Sequence, residues 1–190
     1  HPAAALEQSL FDSTGATPDG SLTEYYLWAS GGRLRVRGQV VATVQLPFDR
    51  YYYSFDGYGL SVIATPNNSA GLATHAVDAC DAQVDWNQFD RDHDGYVDMV
   101  WIVHAGPGAE TNGIRRNLWS ITSRLSSGWS NAGSWPTHDI IPGTVNQRVR
   151  VDRFTILPEE LVGGREADGL SRALVGHHHV ALELSRADPD

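Results

Sequence analysis

VDWNQFDRDHDGYVDMVWIVHAGPGAE, residues 84–110, joins an acidic loop directly to an apolar run. Asp90, Asp92, Asp94 and Asp98 occupy loop positions one, three, five and nine, and Gly95 stands where a tight turn needs positive φ. Carboxylates so spaced can converge on one hard cation, with the backbone carbonyl of Tyr96 at position seven, which is calcium chemistry. Position twelve, where an EF-hand supplies a bidentate Glu, is Trp101, so the loop is not a complete EF-hand. A solvated turn is the competing reading, since Asp and Gly favour turns without metal. Four aspartates so close together repel one another unless something positive lies among them, which favours the cation. Met99–Val103 (MVWIV) is a continuous apolar run, the pattern of a strand buried on both faces. The loop therefore feeds a core strand where an EF-hand would start a helix. His104–Glu110 (HAGPGAE) then breaks that strand with glycines and a proline.

A chain of 190 residues makes one domain, or a large part of one, and the expected organisation is a single domain over 1–190 with an irregular segment at 1–20. The net charge of −9 and the scatter of the 14 cationic residues, all arginine, argue against a nucleic-acid partner. Cys80 is the only cysteine, which excludes an intrachain disulfide and a multi-cysteine zinc site. Nothing approaches the run of about 18 apolar residues that a membrane span requires. No signal peptide is evident, and His1 is not a start residue, so a processed protein or an excised fragment is expected.

Elsewhere the sequence predicts a helix opened by Ser21, with Glu24 at capping-box spacing, Leu22, Tyr25, Tyr26 and Ala29 on one face, and Gly31 and Gly32 as the stop. Arg33–Gln45 reads as a bent or bulged strand pair around Gly38. The aromatic group Tyr51, Tyr52, Tyr53, Phe55 and Tyr58 suits packing better than a substrate platform. Ser69–Ala82 is a helix burying Leu72, Ala76, Val77 and Cys80, with His75 as a partly buried or surface residue. Leu118–Leu125 reads as a strand, and 126–143 as a long loop in which Trp129, Trp135 and His138 either border a cleft or pin the loop. Val149–Leu157 is a further strand.

A final helix is expected from Asp168, with Leu170, Leu174, Ala181 and Leu184 as its apolar stripe. It would carry His177, His178 and His179. Neighbours on a helix diverge by about 100°, so these three cannot share one metal, whereas His179 and Glu183, four apart, can. A polar histidine patch is the alternative to a zinc site here.

Several blocks, in order, resemble the immune inhibitor A type metallopeptidases of the M6 family: SLTEYYLWASGGRLRVRGQVV, DRDHDGYVD, VWIVHAGPGAE, NLWS and TILPEE. The resemblance spans roughly residues 10–160. It implies an α/β (α+β), zincin- or metzincin-like fold, a twisted mixed sheet with an active-site helix carrying HExxH, and here an incomplete one. It also implies a secreted, extracellular enzyme, with catalytic zinc, structural calcium and protein or peptide substrates; a monomer without a membrane span is expected. The acidic loop of the family matches Asp90, Asp92, Asp94, Tyr96 and Asp98. The HExxH helix is not matched. With His177 as first ligand, the place of the catalytic Glu is taken by His178 and that of the second ligand by Ala181; the candidate zinc ligands are His177, His179 and Glu183. The implied function is a zinc-dependent metalloendopeptidase domain, and its alternative is a catalytically inactive, calcium-stabilised binding module of the same fold.

Overall fold

The computed structural model describes residues 3–61, 66–127 and 133–159, together with the backbone of 177–182. Two sheets are present among them. The larger is built of β1 (Gln39–Gln45), β2 (Val100–His104), β3 (Ile121–Arg124), β6 (Arg153–Pro158) and β7 (His177–Leu182), in the order β1-β7-β2-β6-β3, and the smaller is the pair of β4 (Trp135–Ile140) and β5 (Arg148–Val151). β2 and β6 run parallel, while the β1–β7, β7–β2 and β3–β6 pairs are antiparallel, giving the mixed sheet of an α+β domain.

β2 is buried at every position, and its period-two alternation divides it between two cores. Val100 and Ile102 face a large cluster with Phe154 and Ile156 of β6 and with Leu72, Ala76 and Val77. Those last three belong to α4 (Ser69–Cys80), which is capped by Asn68 through a hydrogen bond from Gly71 N–H to Oδ1 at 2.9 Å. Trp101 and Val103 face the other side, against Leu6 and Leu10. The continuous apolar run thus means what it should: a strand with helices over both faces.

Leu6 and Leu10 sit on α1 (Ala3–Phe11), within the segment expected to be irregular. An alanine-rich stretch with leucines four apart forms a helix because both leucines reach the same core. α2 (Leu22–Ala29) carries the predicted capping box between Ser21 and Glu24, but its buried residue is Thr23, whose hydroxyl donates to the Val36 carbonyl at 2.6 Å. Tyr25 is exposed instead. Only Gln39–Gln45 of the expected strand pair is a strand, β1, with a bulge between Val40 and Ala42.

Three further expectations are corrected. Residues 135–140, assigned to a loop, form β4 (Trp135–Ile140), which pairs with β5 (Arg148–Val151). The single strand expected over 149–157 is two, β5 and β6, parted at Asp152, whose carboxylate accepts the Ser126 N–H at 2.8 Å and meets Arg124 at 3.7 Å. The helix expected to carry the three histidines is also replaced over residues 177–182, which form strand β7 between β1 and β2. That position satisfies the facing backbone edges of two strands at once, a gain no helix there provides. The helix start at Asp168, Leu170 and Leu174, and the stripe residue Leu184, lie outside the described residues.

Candidate metal centre and the end of strand β2

The acidic loop is preformed. Gly95 at φ 87° and His93 at φ 58° take the left-handed backbone that folds it back on itself. Asp90 Oδ2 accepts the Gly95 N–H at 3.0 Å, Asp92 Oδ1 accepts from Asp94 N–H at 3.2 Å, and Asp94 Oδ1 accepts from Tyr96 N–H at 2.8 Å. One carboxylate oxygen from each of Asp90, Asp92 and Asp94 lies within 4.8 Å of the others. Asp92 and Asp94 are exposed, but Asp90 is only 3 % exposed, and its Oδ1 is buried with no hydrogen-bond partner among the described residues. A buried, unsatisfied carboxylate oxygen is costly unless a cation or donor meets it. Hard oxygen donors alone make this a fit for calcium and a poor fit for zinc.

Of the five expected ligands, Asp98 stands outside the three-aspartate group; its N–H donates to the Phe89 carbonyl at 2.9 Å, and the residue lines an adjoining cleft with Asp92, Asp94, Arg124 and Asp152. The Tyr96 segment is pinned on both sides, by Val97 N–H to the Arg150 carbonyl at 2.8 Å and Arg150 N–H to the Gly95 carbonyl at 2.9 Å. The loop is therefore fastened to β5 at one end and runs into β2 at the other.

Among the described residues, no second group of three His, Cys, Asp or Glu side chains converges. The candidate zinc residues His177 and His179 occupy alternate positions of β7, in register with Gln45 and Thr43 of β1, and Glu183 lies outside the described residues. The helical four-residue spacing that would join His179 to Glu183 does not apply to a strand.

A polar cluster that motif spacing did not single out closes the other end of β2. His104, its last residue, is fully buried, and its Nδ1–H donates to the Ala105 carbonyl at 3.1 Å, which leaves Nε2 as a buried lone pair without a partner among the described residues. Burial is the main cause holding its pKa down to about 4; the hydrogen bond to Ala105 works against this, Arg50 adds to it, and Glu110 and Glu159 oppose it. His104 is thus a neutral imidazole at pH 7. Glu110 Oε1 accepts from the Ser120 hydroxyl, while Oε2 and the Arg50 Nε are buried without partners among the described residues. The glycines of HAGPGAE explain how such groups fit: a Cβ on Gly106 would run into the Arg50 guanidinium, and one on Gly108 would lie 2.5 Å from the Glu110 carboxyl. The G-P-G spacing was the available signal, a loop kept bare so that charged groups can approach its backbone.

The aromatic group separates by burial. Tyr53 is fully buried and donates to or accepts from His75 Nδ1 at 2.7 Å, and Tyr52 stacks on Phe48 at 3.9 Å, whereas Tyr51 and Phe55 are exposed. Packing thus explains the middle of the run and not its ends. His75 is half-buried, as expected. Trp135 packs against the main core and His138 is held by Asp81 and Asp139, so both pin the β4 segment; Trp129 lies outside the described residues.

No helix among the described residues is long and apolar enough to cross a membrane. No match is found among curated proteins. A family model described as the immune inhibitor A peptidase M6 catalytic domain matches residues 8–174, an interval that takes in α2, β1, the acidic loop, β2 and β6. On that match the chain belongs to the M6 family of metallopeptidases.

Proposed function

We propose that the chain is the peptidase domain of an extracellular zinc-dependent endopeptidase that hydrolyses peptide bonds in proteins, stabilised by a calcium ion at Asp90, Asp92 and Asp94, with the Tyr96 carbonyl and Asp98 contributing. Membership of a metallopeptidase family supports the reaction class, protein substrates and an extracellular setting. The calcium rests on one observation, the buried and unpartnered Oδ1 of Asp90 within a group of three carboxylates. Calcium there would tie the β5 side of the loop to the start of β2 and so hold the strand that organises both cores. His177, His179 and Glu183 are the proposed zinc ligands.

A second reading, a calcium-stabilised extracellular module without peptidase activity, is favoured by β7. The histidines occupy a strand, and the residue after His177 is His178 where a general base is needed. Metal analysis of the purified chain, casein hydrolysis with and without 1,10-phenanthroline, and melting with calcium or zinc added back after chelation separate the two. Bound zinc with phenanthroline-sensitive hydrolysis supports the first. Restoration by calcium alone, without hydrolysis, supports the second, and a melt indifferent to calcium removes the metal from both.

A further inference from the structure

The exposed ends of the aromatic run belong to a surface patch that packing leaves unexplained. Tyr51 is 54 % exposed, Phe55 57 % and Trp119 41 %. Tyr51 and Trp119 stand beside two adjacent arginines: the Arg116 guanidinium lies 5.7 Å from the Tyr51 ring, that of Arg115 lies 6.0 Å from the Tyr58 ring, and Tyr58 meets Trp119 edge-on at 5.6 Å. Phe55 follows Tyr51 by one helical turn, its N–H donating to the Tyr51 carbonyl at 3.0 Å. The patch is built. Tyr58 N–H donates to the Arg115 carbonyl and Trp119 N–H to the Tyr58 carbonyl, both at 3.0 Å, and Arg115 Nε donates to the Asp56 carbonyl at 2.6 Å.

It is also strained. Phe55, Asp56 and Tyr58 all have positive φ, of 42°, 51° and 64°, although none is glycine. Such backbone is unfavourable for any residue with a side chain, and here it is adopted at the surface, where Phe55 is largely exposed. Among the described residues, neither Arg115 nor Arg116 forms an ion pair with a carboxylate, in a chain of net charge −9. Exposed Trp, Tyr and Arg are the side chains that most often anchor a protein partner, and two cations on an anionic molecule choose the charge of what docks.

We infer that the patch formed by Tyr51, Phe55, Tyr58, Arg115, Arg116 and Trp119 is a docking surface for an acidic protein segment bearing aromatic or large aliphatic side chains. The carboxylates of the segment meet Arg115 and Arg116, and its apolar side chains lie on Tyr51, Phe55 and Trp119. Binding here needs no hydrolysis and goes beyond the peptidase reading.

The test is fluorescence anisotropy of a labelled peptide of alternating glutamate and phenylalanine, with its lysine-for-glutamate counterpart and phosphatidylserine vesicles as competing probes. Arg116→Glu should weaken the acidic peptide by roughly tenfold or more, and added salt should weaken it too, while Arg33→Glu, the same charge change at an exposed site elsewhere, should leave it nearly unchanged. Trp119→Ala should weaken it with little change in salt dependence. Both patch variants are checked by thermal melting, so that lost binding is read only on folded protein. Equal binding of the basic peptide, equal loss with Arg33→Glu, or no binding of the acidic peptide by the wild type overturns the proposal. So does binding confined to the vesicles, which would make the patch a lipid contact.

Discussion

Asp90 and Gly95 are joined through one carboxylate oxygen alone: Oδ2 takes the Gly95 N–H at 3.0 Å, and Oδ1 of the same group is buried with no partner among the described residues. The first oxygen holds the loop fold, and the second is the one that the proposed calcium would meet. Calcium should therefore raise the melting temperature, by an amount corresponding to about 2.7 kcal/mol at roughly a hundred times its dissociation constant. Asp90→Asn keeps the shape and removes the charge, so it should abolish that increment. A wild-type melt identical in calcium and in chelator would end the assignment.

His104 gives stability that depends on pH. Its folded pKa, near 4, lies below the ordinary 6.5, so between these values the unfolded chain binds a proton that the folded chain does not. The contribution is complete above about 6.5 and is lost as pH falls through that window, by roughly 3 kcal/mol in total. His104→Gln should flatten this limb of a plot of urea midpoint against pH. An unchanged slope would mean that the imidazole is not the group responsible.

His138 works in the opposite sense. Its hydrogen bond to Asp81 is the main cause raising its pKa; its slight burial opposes this, the charges of Asp139 and Asp81 add to it, and Arg148 opposes it. The stabilisation is complete below about 6.5 and disappears as pH rises through the folded value. His138→Gln should remove this alkaline-side decline and leave the acid limb intact, which melts at a series of pH values resolve directly.

Gly106 and Gly113 make a matched pair. Both have left-handed backbone, at φ 83° and 66°, but a Cβ on Gly106 meets the Arg50 guanidinium and one on Gly113 meets nothing. Gly113→Ala should cost about 1–2 kcal/mol, the left-handed penalty alone. Gly106→Ala should cost at least as much, any excess being what it takes to move the end of the Arg50 side chain. Equal losses in urea titrations would show that Arg50 yields freely.

What could be read from the sequence was what local spacing determines. The apolar run of β2, the capping box of Ser21 and Glu24, the face of α4 and the gathering of Asp90, Asp92 and Asp94 all follow from neighbours within a few residues. What could not be read depends on distant partners. β4 looks like a loop because Pro136, His138 and Asp139 interrupt it, and only Thr137, buried and donating to the Val149 carbonyl at 2.9 Å, shows which face is inward. His177–Leu182 fits a helical stripe as well as a strand, and the vacant edges of β1 and β2 choose between them. For the buried polar groups around His104 the G-P-G spacing signals a bare loop but not which charged groups approach it. Nothing near Arg50 in sequence tells of Gly106, and their contact exists only once the sheet has closed.

The place of β7 between β1 and β2 has a consequence for biosynthesis. A ribosome delivers β1 and β2 well before the strand that separates them, and in that interval each carries an open hydrogen-bonding edge of apolar sequence. The central sheet cannot close by zipping outward from its first strands; it must hold a slot for a late arrival. Such non-local closure is slow, and exposed edges invite other nascent chains. In the cell this architecture places a premium on keeping the unfinished chain apart from its copies until residues 177–182 have emerged.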